Sequence, residues 1–221
     1  MIDHDIGTST DGAARSRGRP KQRPDSEERQ RILGIACDLF LDVGYGGTTM
    51  DAVAARCGIS KKTLYRLFPA KTDLFKAMVA DHRRTMLALP RPDDALPTAE
   101  ALAAIFRLDI DETENRQRLA FIRLAVADAD RYPEIGEAIA LEGAQAALRL
   151  LAQWLAVQQA RGALRPFPPE AAARMLMDMV FSVMVKRYPG DALMTSEQRV
   201  GHARRCIEVF LTGLAERREA A

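Results

Sequence analysis

Aromatic side chains make up only 6% of this 221-residue chain, which also holds just three cysteines. Cys37, Cys57 and Cys206 are far apart and odd in number, which argues against both a disulfide framework and a zinc site. Long apolar runs are missing too: none reaches the ~18 residues that a bilayer crossing needs. No apolar segment follows a basic start, so no signal peptide is read here, and a reducing, cytoplasmic setting is expected. His4, His82 and His202 are scattered, and neither HExxH nor GxSxG occurs. With no paired cysteines and no phosphate-binding loop, these residues point away from an enzyme and call for no metal or cofactor. Alternation of apolar and polar residues, the sign of a half-buried strand, is absent, as are internal repeats.

What is present favours helices. Apolar residues are 48% of the chain and charged residues 28%, ordinary for a globular protein. Ala, Leu, Arg and Glu dominate, so an all-α fold is expected. The net charge of +2 conceals an asymmetry. Residues 1–85 carry 15 Lys and Arg against 11 Asp and Glu, while the remainder carries 17 against 19. Within the first part the excess lies at Arg15, Arg17, Arg19, Lys21 and Arg23, and a basic front end suits a polyanionic partner.

Residues 1–24 lack periodicity and read as a flexible basic arm. A first helix is expected from Ser26, an N-cap with Glu27 and Glu28 in the turn that follows. Ile32, Ala36, Phe40 and Val43 share one face, flanked by Leu33 and Leu39, and Gly44 ends the helix. Thr48, with Asp51 three residues on, is expected to cap a second short helix closing at Cys57-Gly58. Ser60 caps a third, Lys61 to Phe68, and a fourth runs from about Ala70 to Pro90. Pro90, Pro92 and Pro97 then mark a break. Beyond it, helices are expected at roughly 98–114, 117–130, 133–161, 169–187 and 195–217.

The informative stretch is residues 48–68, TTMDAVAARCGISKKTLYRLF. Two short helices meet at Cys57-Gly58-Ile59, where glycine can take the positive φ of a tight corner. Ala54 and Ala55 are small enough for close approach, and Ile59 and Leu64 are placed to pack between the helices. This is the pattern of a helix-turn-helix, whose first helix crosses the DNA backbone while the second enters the major groove. The second helix is suited to that place, because its free N-terminal N–H groups favour phosphate. Lys61 and Lys62 occupy its first turn, Thr63 follows, and Arg66 lies one turn after Lys62. Lys and Arg reach guanine O6 and N7, and Thr reaches a base or a thymine methyl. The Tyr65 hydroxyl suits a phosphate oxygen. A plainer reading stays open, since glycine-cornered helix pairs occur in many folds and paired lysines also serve as a solvated face.

The residues of this stretch and its flanks closely resemble the TetR family of bacterial repressors. Phe40 and Gly44-Tyr45 carry the likeness, followed by Thr48-Thr49, by Gly58-Ile59-Ser60-Lys61-Lys62-Thr63-Leu64-Tyr65, and by Phe68, Lys71, Leu74 and Phe75. The resemblance covers about residues 26–80. It implies an N-terminal three-helix helix-turn-helix DNA-binding domain at 25–70. A larger C-terminal helical ligand-binding and dimerisation domain would follow at 71–221. Thr48, Tyr65 and Lys71 are then expected at phosphates, and Lys61, Lys62, Thr63 and Arg66 at bases, with Thr49 and Ser60 at the same surface. Many relatives have His before the Phe where this chain has Leu67, which puts a phosphate contact there in doubt. Residues 121–136, FIRLAVADADRYPEIG, and the late FLTGL resemble a subset with an AefR-like C-terminal domain.

The resemblance implies a homodimer through the last two helices, a double-stranded DNA operator and a small-molecule effector. Met175, Met179, Val183, Ile207, Phe210, Leu211 and Leu214 offer apolar faces for pairing, and Ala171, Ala172 and Gly213 are small enough for close approach. Phe106, Phe121, Leu124, Trp154, Met175, Met179 and Phe181 are the candidate pocket lining, although such a stripe equally describes plain core. Arg123, Asp128 and Asp130 are candidate polar anchors or simply exposed charges. In the arm, Arg17-Gly18-Arg19-Pro20-Lys21 has the order of a minor-groove reader, with Arg17 and Arg19 entering the groove; a solubilising tail reads the same way. Two other functions remain to be tested. One is a redox-switched regulator acting through Cys37 and Cys57, and the other a nonspecific DNA binder driven by the arm.

Overall fold

A computed structural model of the chain describes residues 24–92, 95–184 and 194–214. Every regular element among them is helical. In order these are α1 (Asp25–Gly47), α2 (Met50–Cys57), α3 (Lys61–Leu67), α4 (Lys71–Met86), α5 (Thr98–Ile105), α6 (Glu112–Ala129), α7 (Pro133–Ala138), α8 (Ala146–Ala160), α9 (Pro169–Phe181) and α10 (Ser196–Leu214). A π-helical segment, Ile139–Gln145, joins α7 to α8 without a break, and a 3₁₀ turn, Ser182–Met184, follows α9.

Apolar faces from these helices close on two cores. The first gathers Ile32, Ala36 and Phe40 of α1, Val53 of α2, Leu64 of α3, and Leu74, Phe75 and Val79 of α4. Phe121 and Ala125 of α6, with Ile135 and Ala138 of α7, complete it. The second joins Leu87, Leu102 and Ile105 to Leu151 and Leu155 of α8, Leu176 and Val180 of α9, and Ile207 and Phe210 of α10. The first core therefore takes residues from both sides of the expected boundary at 70/71, and α4 carries the chain from one core to the other.

Several expected details change. α1 starts at Asp25 behind Pro24, with no side-chain cap, so Ser26 lies inside its first turn. At Gly44 the backbone turns to φ 70°, ψ 176°, and beyond the bend it is Tyr45 that is buried. Val43, expected in the core, is 54% exposed. Thr49 rather than Thr48 caps α2, its Oγ1 accepting the Ala52 N–H at 3.1 Å. Thr48 is buried and donates its hydroxyl to the Gly44 carbonyl at 2.8 Å, closing the end of α1. Ala54 is buried as expected, but Ala55 faces solvent.

The helix expected at 98–114 stops at Ile105 because Arg107 takes a positive φ of 51°. The chain restarts at Asp111, which caps α6 by accepting the Glu114 N–H at 2.8 Å. α9 gives way to the 3₁₀ turn at Ser182, short of the expected 187. On the last two helices, Ile207 and Phe210 turn into the second core, whereas Met175 and Val209 face outward.

Candidate nucleic-acid interface and apolar cleft

The corner between α2 and α3 follows from two residues. Gly58 sits at φ 64°, ψ 32°, a left-handed conformation that costs an ordinary L-residue about 1–2 kcal/mol. Ser60 then caps α3, its Oγ accepting the Thr63 N–H at 3.1 Å. Leu64 and Leu67 bury the inner face of α3, and Ile59 packs on the same core. Arg29 of α1 fastens the far end, donating to the Leu67 carbonyl with its guanidinium 4.3 Å from the Phe68 ring centre. A cation at a helix C-terminus is favourably placed.

With its apolar face held down, α3 turns the polar residues out. Lys61, Lys62, Tyr65 and Arg66 are exposed, Tyr65 by 45%, and Thr63 is half-buried with its hydroxyl 2.9 Å from that of Ser60. Two of the cations are already paired. Lys61 Nζ lies 2.7 Å from Asp51 Oδ2, and Arg66 Nη2 lies 2.9 Å from Asp25 Oδ1. The Arg66 hydrogen bond holds the Asp25 carboxyl below the usual carboxylate range. Among the described residues Lys62 has no such partner. Thr49, also exposed, stands at the start of α2.

Lys71 is placed differently from the rest. Its ammonium donates to the Tyr45 carbonyl and lies 4.0 Å from the centre of the Tyr45 ring, and burial lowers its pKa. Together with Thr48 it closes the α1–α2 junction. Arg17 and Arg19 lie outside the described residues.

The candidate pocket residues do not assemble into one site. Phe121 and Phe181 share an apolar cleft of about 260 Å³ between α4, α6, the π segment, α8 and α9, with Met86, Ile122, Ile139 and Met177 in its walls. Phe106 lies against Phe181, ring centres 5.6 Å apart, but borders a separate small cavity. Trp154 lines a groove beside Leu89 and Pro90. Leu124 packs on the first core, Met175 is exposed, and Met179 packs on the second core. Helical spacing identified buried faces, but not which of them meet at a cavity.

The π segment forms part of the cleft wall. Arg83 of α4 donates to the Glu142 carbonyl within it at 2.7 Å, tying α4 to the segment. His82 stands beside Arg83 and stacks on Phe121 with ring centres 4.4 Å apart; burial pushes its pKa down to about 4. Of the candidate polar anchors, Arg123 and Asp130 are exposed. Asp128 instead accepts the Tyr45 N–H at 2.9 Å, tying the end of α1 to α6. Asp25 and Arg118 were not singled out from the sequence, and Asp51, expected at the start of the second helix, pairs with Lys61. The partners of the two acids are 41 and 10 residues away, a separation that leaves no local pattern.

Comparison with known proteins agrees with this geometry. The family model for bacterial regulatory proteins of the tetR family matches residues 32–78, and that for the AefR-like transcriptional repressor C-terminal domain matches residues 100–213. The HTH-type transcriptional activator FasR of Mycolicibacterium smegmatis is 34% identical over 124 residues, 54% of this chain and 50% of that protein. The HTH-type transcriptional regulator RutR of Escherichia coli is 34% identical over 70 residues, 32% of each chain. The chain thus spans half or less of the length of these curated relatives. Among solved structures, the flavonoid-responsive regulator FrrA aligns with a TM-score of 0.61 at 27% identity, covering 87% of this chain and 99% of that one. A TetR family transcriptional regulator from Pseudomonas syringae pv. tomato aligns at 0.56 and 26%, covering 84% and 96%. Among the described residues no helix is long and apolar enough to cross a membrane. With its capped recognition-type helix and matches to both the N- and C-terminal family models, this chain belongs to the TetR family of bacterial regulatory proteins.

Proposed function

We propose that the protein is a ligand-responsive repressor that binds a palindromic operator as a cytoplasmic homodimer. The observation that carries this reading is α3, a short helix capped at Ser60 and anchored by Leu64 and Leu67, with Lys62 and Tyr65 projecting from its free face. In this reading Lys61, Lys62, Thr63 and Arg66 meet base edges, while Tyr65 holds a phosphate, with Thr49 and Ser60 at the same surface. Lys61 and Arg66 exchange Asp51 and Asp25 for DNA on binding. Thr48 and Lys71 act from behind, by fixing the α1–α2 junction. Arg17 and Arg19 extend the contact into the adjacent minor groove.

Dimerisation is assigned to α9 and α10, which pack together and carry the outward-facing Met175 and Val209. An isologous pair presents two α3 helices to two half-sites about 34–36 Å apart. The effector site is the cleft around Phe121 and Phe181, and ligand there shifts α4 and with it the spacing of the pair. A coupling of about 1–3 kcal/mol weakens operator binding roughly 5–150-fold. FrrA is named as flavonoid-responsive and the matched C-terminal domain as a repressor's, both in keeping with this reading. The activator FasR supports a second reading, in which the same dimer recruits rather than blocks transcription.

The test is selection from genomic fragments at about 150 mM salt. The wild type is expected to enrich a palindromic site, and Tyr65→Ala and Thr63→Ala each to weaken it. Equal binding to all fragments, unaffected by either substitution, would leave only nonspecific attraction through the basic arm.

A further inference from the structure

Next to the apolar cleft the structure holds a cation that its own carboxylates leave unmatched. Arg118 of α6 is only 8% exposed, and it donates through Nε to Asn115 Oδ1 at 3.0 Å and through Nη1 to the Thr85 carbonyl at 3.4 Å. Among the described residues no carboxylate lies within salt-bridge distance of it. The two nearby acids are spent on other arginines, Glu114 on Arg107 at 2.7 Å and Glu112 on Arg199 at 3.5 Å. Burial and the charges of Arg107 and Arg199 push the pKa of Arg118 down to about 10. A buried charge without a counter-charge is costly, so a site of this kind is expected to serve a purpose.

Two donors beside it are unused. Asn115 is 3% exposed, and because its Oδ1 takes the Arg118 Nε–H, its Nδ2 is left as a buried donor with no acceptor. Arg107 Nε is buried without an acceptor in the same way. Arg107, Asn115, Arg118 and Arg199 all line one cavity of about 30 Å³, bounded by Phe106 and Phe181. Orphan donors and an excess positive charge around one small space call for an anionic acceptor.

The space admits a small polar head group such as a carboxylate but not the body of an organic molecule. The body has room nearby. Phe181 walls both this cavity and the 260 Å³ apolar cleft, and Phe121 of the cleft follows Arg118 by three residues on the same helix. Residues three apart on a helix lie on neighbouring turns of one face.

We propose that Asn115, Arg107 and Arg118 bind the carboxylate of an apolar organic acid whose body lies in the Phe121–Phe181 cleft. This rests on the reading of that cleft as the effector site and specifies the chemical class of the effector. An apolar body suits the cleft, whose walls are hydrocarbon and aromatic apart from His82 and Arg83. The acid head matches the orphan donors and sets an acid apart from a neutral molecule of the same shape.

The test uses the full chain and a matched pair of probes, naphthoate and naphthylmethanol, titrated calorimetrically. The wild type is expected to bind the acid at least about tenfold more tightly than the alcohol. Arg118→Met is expected to bring naphthoate down to the affinity of the alcohol. Arg107→Gln, at a partly exposed position that keeps the fold whatever becomes of the Arg118 variant, is expected to narrow the gap. Equal wild-type affinity for acid and alcohol would overturn the carboxylate site while leaving the cleft as a binding site. A preference for the acid that survives Arg107→Gln and Arg118→Met would also overturn it. Binding of neither probe would remove both this inference and the effector cleft on which it rests.

Discussion

The end of α1 is held to α6 by one hydrogen bond whose removal has a calculable effect. The Tyr45 N–H, in a buried residue beyond the bend at Gly44, donates to Asp128 Oδ2 at 2.9 Å. Asp128→Ala removes the acceptor and leaves that N–H without a partner. Hydrogen bonds to charged groups contribute about 1.5–3 kcal/mol, and we take about 2 kcal/mol for this half-buried pair. A chain of this size loses roughly 2–4 °C in Tm per kcal/mol, so the melting temperature is expected to fall by about 4–8 °C. The specific readout is hydrogen exchange at the Tyr45 amide, which should quicken roughly 30-fold, the factor that corresponds to about 2 kcal/mol. Asp128→Asn, which keeps an oxygen acceptor, should recover a large part of both effects. Unchanged exchange at Tyr45 in Asp128→Ala would refute the reasoning even if the Tm fell, because the loss would then arise elsewhere.

Three further outcomes are expected. His82 has a folded pKa of about 4 against 6.5 for the free side chain, so only the unfolded chain takes up the proton as pH falls between those values. Stability is therefore full above pH ~6.5 and declines toward pH ~4, by up to about 3 kcal/mol; acid-range unfolding curves of His82→Asn should lose this component, and identical curves would count against it. Leu64→Ala, at the fully buried inner face of α3, should cost about 2–5 kcal/mol by urea unfolding, and a loss near zero would mean that α3 is not anchored there. Burial, aided by Asp38 and Asp81, pushes the Cys37 thiol up to about 11, and burial raises Cys57 as well, so neither should react readily near neutral pH. Peroxide should leave DNA binding unchanged, whereas its loss on oxidation and return on reduction would restore the redox-switch reading.

The parts of the molecule legible in the sequence were those written in local patterns. Gly58 and Ser60 act on neighbours within a few positions and Leu64 marks the inner face of α3, so the α2–α3 corner and its exposed face could be placed without a structure. The apolar periodicity of α4, α6 and α9 likewise marked real buried faces. Local patterns also misled where two equivalent residues compete. Thr48 and Thr49 are both good caps, and the bend at Gly44 turned the first inward and left the second to cap α2. Contacts between distant segments left no trace in spacing. Asp25 with Arg66, Tyr45 with Asp128 and Thr85 with Arg118 join residues 41, 83 and 33 positions apart. Of the cleft only Phe121 and Phe181 were named from the sequence, because a cavity is where helix faces fail to meet.

The arrangement of the first core bears on how the two halves of the chain communicate. Phe40 of α1, Phe75 of α4 and Phe121 of α6 lie with ring centres 5.2–6.2 Å apart, so α1 and α4 are packed directly on α6. Phe121 is shared further: one side meets Phe40 and Phe75, and another meets His82 in the wall of the cleft. Interiors are packed about as densely as organic crystals and give way in discrete steps, not by gradual compression. A displaced Phe121 must therefore push on Phe40 or Phe75, and through them on the helices that seat α3. The Tyr45–Asp128 bond joins the same two helices about two turns on, at the C-terminal end of α6, so α1 is restrained against α6 at two places instead of one. Two restraints resist rotation as well as translation, so α1 and the helices packed on it are held in one orientation against α6.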